Sequence, residues 1–123
     1  MIGSMILLSA ALASTAPVEV SAPRPDSIDV GYEDLRAGRA EAAIEHIKAN
    51  RLVSADDPSA LINLGAAHAR IGKPKQAQAY YLAAIASRDR YDVQLSDGRW
   101  MDTRRAARLA LETQTQGGSF ALR

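Results

Sequence analysis

The stretch from Asp57 to Asp89, DPSALINLGAAHARIGKPKQAQAYYLAAIASRD, reads as two helices joined by a tight turn. Leu61, Leu64, Gly65 and His68 recur at i, i+3, i+4 and i+7, which places them on one helical face. Ser59 is positioned to cap that helix, which runs to about Ile71. Gly72 ends it, because glycine takes the left-handed conformation at a helix C-terminus at little cost. Pro74 falls in the first turn of the next helix, where a missing amide costs nothing. Ala77, Tyr81, Ala84 and Ile85 form its apolar stripe. Tyr80 and Tyr81 are adjacent, so they point to different faces and one of them is core.

The same pattern occurs once more, 34 residues earlier. That shift lays Gly31 on Gly65, Gly38 on Gly72, Ala43 on Ala77, Ile47 on Tyr81, Arg36 on Arg70 and Ala40 on Pro74. Two adjoining units follow, residues 24–57 and 58–91. In the first, Ala40, Ala43, Ile44 and Ile47 repeat the helical spacing, whereas Ser27 and Asp34 fill slots that are bulky in the second. A repeat of this length is the mark of a stacked helical array, in which no unit buries its apolar face alone.

The second unit resembles a tetratricopeptide repeat. The family's slots are held here by Leu61, Leu64-Gly65, His68, Gly72, Ala77, Tyr81 and Ala84, with Asp89 in place of the usual terminal proline. The resemblance covers residues 24–91. It implies an all-α fold, a short α–α superhelix of two helix pairs, with a concave surface lined by the first helix of each pair. Carried over slot by slot, that surface comprises Asp29, Tyr32 and Arg36 from the first unit, and Ile62, Asn63, Ala66 and Arg70 from the second. Asn63 matches an asparagine that the family uses to hold peptide backbone or a C-terminal carboxylate. The basic residues of a full carboxylate clamp are absent, with Asp29 and Ala66 where bases or amides would stand. Arg36 and Arg70 occupy one slot of successive repeats. Two aligned guanidinium groups make a rail for carboxylates, which points to an acidic partner segment.

Beyond the repeats the period changes. Val93 and Leu95 alternate with polar Asp92, Gln94 and Ser96, and Asp97-Gly98 reads as a two-residue hairpin turn. A β-hairpin is therefore expected over 91–101, packed on the repeats through Trp100, since a lone hairpin is marginal in water. A capping helix follows over 102–116, started by Asp102 or Thr103. Arg104, Arg105 and Arg108 crowd its first turns, the end that disfavours cations, so another contact must recommend them there. After Gly117-Gly118 the remainder, 117–123, reads as a flexible tail.

Before the repeats, residues 1–13 end an uncharged apolar run in Ala11-Leu12-Ala13, which fits a signal peptide despite the lack of Lys or Arg at its start. Residues 14–26 hold three of the five prolines and read as an extended linker to a helical domain over 27–116. The expected location is the periplasm or the extracellular space, with no stable membrane span after processing.

Composition narrows the function. With 123 residues the chain makes one small domain. Aromatics are only 5% and alanine is plentiful, a thin core that suits closely packed helices. There is no cysteine, which removes thiol nucleophiles, disulfides and Cys-ligated metals. The net charge of +1 gives no general attraction to nucleic acid. Its distribution is uneven: residues 19–57 carry 9 acids against 5 bases, and residues 99–123 carry 5 bases against 2 acids. Such asymmetry suits head-to-tail association, and a homodimer is one way to cover an open end of the array.

Catalytic signatures are missing. Glu41, Glu45 and His46 share a stretch of helix without the order that seats two histidines on zinc, and read as a solvated surface. GAAHARIGKP, residues 65–74, fails as a phosphate loop because its glycines are two residues too far apart and Pro74 stands where a hydroxyl must meet magnesium. No cofactor and no metal are expected. The sequence thus points to a non-catalytic protein-binding scaffold of the cell envelope, or to a self-assembling accessory subunit that uses its end surfaces. If residues 1–13 are an export signal, intact-mass measurement on protein from its native host finds a chain beginning at or near Ser14. A full-length soluble cytoplasmic species would contradict this.

Overall fold

The computed structural model describes residues 30–118 and 120–122. The expected signal peptide 1–13, the linker 14–26 and Asp29 lie outside the described residues. Within them the chain is mostly helical, with five helices and one two-stranded antiparallel sheet. In chain order these are α1 (Tyr32–Arg36), α2 (Ala40–Ala49), α3 (Pro58–Arg70), α4 (Pro74–Ala86), β1 (Asp92–Gln94), β2 (Trp100–Asp102) and α5 (Thr103–Thr115). Helix α3 is central and packs against α2, α4 and α5.

The two helix–turn–helix connections carry the same hydrogen bonds, offset by 34 residues. Gly38 N–H donates to the Leu35 carbonyl at 3.1 Å, and Gly72 N–H to that of Ala69 at 3.2 Å. Arg39 N–H donates to the Asp34 carbonyl at 2.8 Å, and Lys73 N–H to that of His68 at 2.9 Å. Both turns need a left-handed residue, and Gly38 and Gly72 supply it at φ 79° and 78°.

The aligned pair Gly31 and Gly65 is equivalent in packing but not in backbone. A Cβ on Gly65 would lie 2.5 Å from Tyr81 Cε1, so only hydrogen lets α4 place that ring against α3. A Cβ on Gly31 would lie 3.0 Å from Ile47 Cδ1, the residue aligned with Tyr81. Yet Gly65 is inside α3, whereas Gly31 is left-handed at φ 75° and starts the short α1.

Alanine makes the helix contacts. Ala77, Ala106, Ala107 and Ala110 are fully buried where α4 and α5 meet the rest, and Ala43 is fully buried in α2. Tyr81 is the largest fully buried side chain and shares its cluster with Leu61, Ile62, Val93, Leu95 and Leu122. Tyr80, on the other face, stacks at 4.9 Å on His68, which is itself buried with Nδ1 at 2.7 Å from the Leu64 carbonyl.

Several details differ from the sequence expectations. Asp57, not Ser59, caps α3: its carboxylate accepts the Ala60 N–H at 3.0 Å, Pro58 takes the first helical position, and the helix ends at Arg70. The hairpin spans 92–102, and its loop has three residues, Ser96 to Gly98. Gly98 N–H donates to Leu95 O at 2.9 Å, and Gly98 alone has positive φ, at 89°. A type I′ turn needs positive φ at both central residues, which Asp97 does not adopt. Trp100 does not anchor the hairpin. It is 67% exposed, and Val93 and Leu95 on the other strand enter the core instead.

Asp102 caps α5 by accepting the amides of Arg104 and Arg105. The Arg104 guanidinium leaves its own helix and donates at 3.2 Å to the carbonyl of Ser87, which ends α4. A cation at that C-terminus complements the dipole of α4, which answers the unfavourable placement on α5. The segment 117–123 is not a free tail over Phe120–Leu122: Ala121 and Leu122 are buried. A buried side chain on α3, that of Asn63, bonds the backbone of Leu122 and ties the segment down.

Close approach at the α3–α4 contact fixes a test. Ala77→Leu overpacks it and costs about 1–3 kcal/mol, and Gly65→Ala, which presses on the Tyr81 ring, costs about as much. Thermal melts should show both losses. An unchanged Tm for either would remove the close-packed contact from the account.

Candidate functional site

Of the seven residues predicted to form a binding face, α3 supplies four. Ile62, Asn63 and Ala66 lie side by side on it, and all three are buried. What covers them is the segment Phe120–Leu122. In an extended strand successive side chains alternate in direction. Accordingly Leu122 joins the cluster of Ile62, Val93 and Leu95, while Ala121 joins that of Leu35, Ala40, Ala43 and Ala66. Leu122 also forms an antiparallel bridge to Leu95, beside the hairpin.

Asn63 holds this segment by its main chain. Its Nδ2 donates to the Leu122 carbonyl at 3.0 Å and to the Val30 carbonyl at 2.8 Å, and its Oδ1 accepts the Leu122 N–H at 2.8 Å. A buried amide left without partners costs about 1–3 kcal/mol, and here both of its donors and one acceptor site are used. The grip engages both backbone groups of a single residue, so it recognises extended chain rather than a particular side chain.

The remaining predicted residues stand around this grip. Tyr32 is half-buried against the cluster of Leu35 and Ala66. Arg70 is exposed at the end of α3, and its guanidinium donates to the Leu35 carbonyl. Arg36 is exposed and lies 3.8 Å from Glu33 one turn earlier, a surface pair of small worth. The two arginines therefore have separate partners within the chain. Asp29 lies outside the described residues.

Two polar clusters were not anticipated. Asp34 is buried at the α1–α2 turn and accepts from Arg39 at 3.1 and 3.2 Å, with His46 Nδ1 at 2.5 Å from its other oxygen. His46 is 60% exposed, in keeping with a helix surface, but it is tied at that edge. The only hint in the sequence was an acid in a bulky slot. In the second cluster the Tyr91 hydroxyl donates to Asp57 Oδ2 at 2.6 Å and lies 2.8 Å from Ser59 Oγ. Burial, then the bond to the Asp57 carboxylate, push the Tyr91 phenol up to about 12. Burial also pushes Tyr81 up to about 12, against a smaller opposing pull from Arg70.

Among the described residues no group of three or more His, Cys, Asp or Glu is placed to hold a metal ion, and no helix is long and apolar enough to cross a membrane. The phenols offer a direct check on the geometry. A phenol whose folded value lies above its ordinary value near 10 adds stability up to that pH and withdraws it as pH rises towards 12. Ultraviolet titration should show Tyr81 and Tyr91 ionising late, with one late transition lost in Tyr81→Phe and the other in Tyr91→Phe. If neither change removes a late transition, the packing of Tyr81 and the bond from Tyr91 to Asp57 are contradicted. In comparisons with known proteins the chain matches no family model, no curated protein and no solved structure.

Proposed function

We propose that this chain is a non-catalytic protein-binding module. Its two helix pairs stack as a short tetratricopeptide-like superhelix, and it works in the cell envelope after export. The observation that carries this reading is the bidentate bond of Asn63 to the backbone of Leu122. A surface that grips one extended segment by its N–H and C=O suits others of the same form, because those groups are common to every non-proline residue. The partner segment lies extended along α3 in place of Phe120–Leu122. Arg36 and Arg70 then stand at the rim, where acidic residues of the partner reach them.

A peptide supplied in trans tests the reading. In the full chain, Leu122→Asp places a carboxylate in an apolar pocket and expels the segment. A labelled synthetic peptide of residues 117–123 should then bind this variant and not the wild type. Adding Asn63→Ala should weaken binding about tenfold, or ~1.4 kcal/mol. A variant that keeps its helical circular dichroism but binds no peptide overturns the proposal. If Leu122→Asp does not fold, hydrogen exchange on the wild type decides. The Leu122 amide should exchange far faster than that of Leu64, by local opening of the segment. Equal protection makes the segment a fixed part of the core and leaves self-assembly through the end surfaces, measured by light scattering, as the reading to pursue.

A further inference from the structure

A second recess lies between the start of α3 and the hairpin. It has a volume of about 470 Å³ and is lined by Val30, Asp57, Ser59, Tyr91, Asp92 and Trp100, among others. It meets the grip around Asn63 only at Val30, whose carbonyl Asn63 holds, and none of its polar side chains takes part in that grip. We infer that this recess binds an arginine side chain presented by a partner protein.

The aromatic walls come first. Trp100, the only tryptophan of the chain, is 67% exposed although it sits on a strand whose neighbours pack. Tyr91 is 40% exposed, and its ring cannot swing freely because Asp57 and Ser59 hold the hydroxyl. Two aromatic rings thus line one opening, and the tyrosine ring is already held in place before anything binds.

The charge is the second observation. Asp57 and Asp92 both line the recess, and neither has an ion pair among the described residues. Asp57 accepts from the Ala60 amide and from Tyr91, neutral donors that bring no cation to its carboxylate. The two arginines that flank the hairpin strands are engaged elsewhere: Arg90 with Asp102 at 2.8 Å, and Arg99 with Asp97 at 2.7 Å. The recess is therefore negative.

Arginine matches this combination better than lysine. Its guanidinium is planar, weakly hydrated and able to stack on an aromatic face while its edge forks onto a carboxylate. An ammonium is compact and strongly hydrated, so it gains less from the rings. Acidic segments are repelled, so the recess selects the charge opposite to the one that Arg36 and Arg70 attract.

The lone tryptophan makes the test simple, because the fluorescence of the full chain reports on Trp100 alone. The probe is acetyl-Gly-Arg-Gly-amide, and the control is the same peptide with citrulline, which keeps the shape of arginine without its charge. The arginine peptide should shift the emission saturably, and the citrulline peptide should bind about tenfold more weakly. Asp92→Asn should weaken the arginine peptide about threefold, since that carboxylate is exposed and holds nothing else in place. Equal responses to the two peptides, no response to either, or an unchanged affinity in Asp92→Asn each overturns the inference. If the wild type is silent and binding appears only with Arg24→Gln, the chain's own arginine is the occupant and the assignment to a partner falls.

Discussion

A buried carboxamide must be satisfied, and Asn63 is satisfied only where three stretches of chain meet. Its donors reach Val30, ahead of α1, and Leu122, beyond α5, while its own backbone belongs to the middle of α3. Remove either outer stretch and a polar group is stranded in an interior with no water to replace the bond. The requirement sets where the hairpin ends up as well, since Leu122 bridges to Leu95 immediately after β1. The arrangement of the small domain is thus organised around one side chain that reads backbone.

The apolar side of the same junction matters because the core is thin. Alanine holds many of the buried helix positions, and few large side chains are wholly buried among the described residues: Tyr81, Leu35, Ile62 and Leu122 lead them. Burying a leucine is worth about 1.5–3 kcal/mol, against a total stability of about 5–15 kcal/mol for a domain. Leu122 therefore contributes a substantial share from a segment of three described residues. Any molecule that takes its place has to offset that share before it gains affinity.

The helix pair over 57–89 was legible because its signals are local: apolar spacing at 3 and 4, a glycine that stops a helix, a proline that starts one. The 34-residue offset was legible too, down to turns whose hydrogen bonds coincide. What escaped depends on contacts distant in sequence. Nothing within a few residues of Trp100 says that Val93 and Leu95, rather than the indole, fill the space beside α5. Phe120–Leu122 follows two glycines and is too short to show a period, so its burial is visible only from Asn63, 59 residues earlier. Asn63 stood out in the sequence as a residue suited to a partner's backbone or C-terminal carboxylate, and in the fold it holds the chain's own backbone at Val30 and Leu122. Asp34 failed as a packing residue by pattern, and its burial rests on Arg39 and His46 arriving from two directions.

The segment Phe120–Leu122 has a consequence for the size of the molecule. Ala121 packs with residues of the first helix pair and Leu122 with residues of the second, so one three-residue piece touches both units at once. Packed helices stand about 8–10 Å apart, and two neighbouring residues span less than that. A third unit inserted between Asp57 and Pro58 would carry Val30 and Leu35 out of reach of the piece that now spans the pair. The same short piece that fills the space between the two helix pairs thus also sets how far apart they can stand.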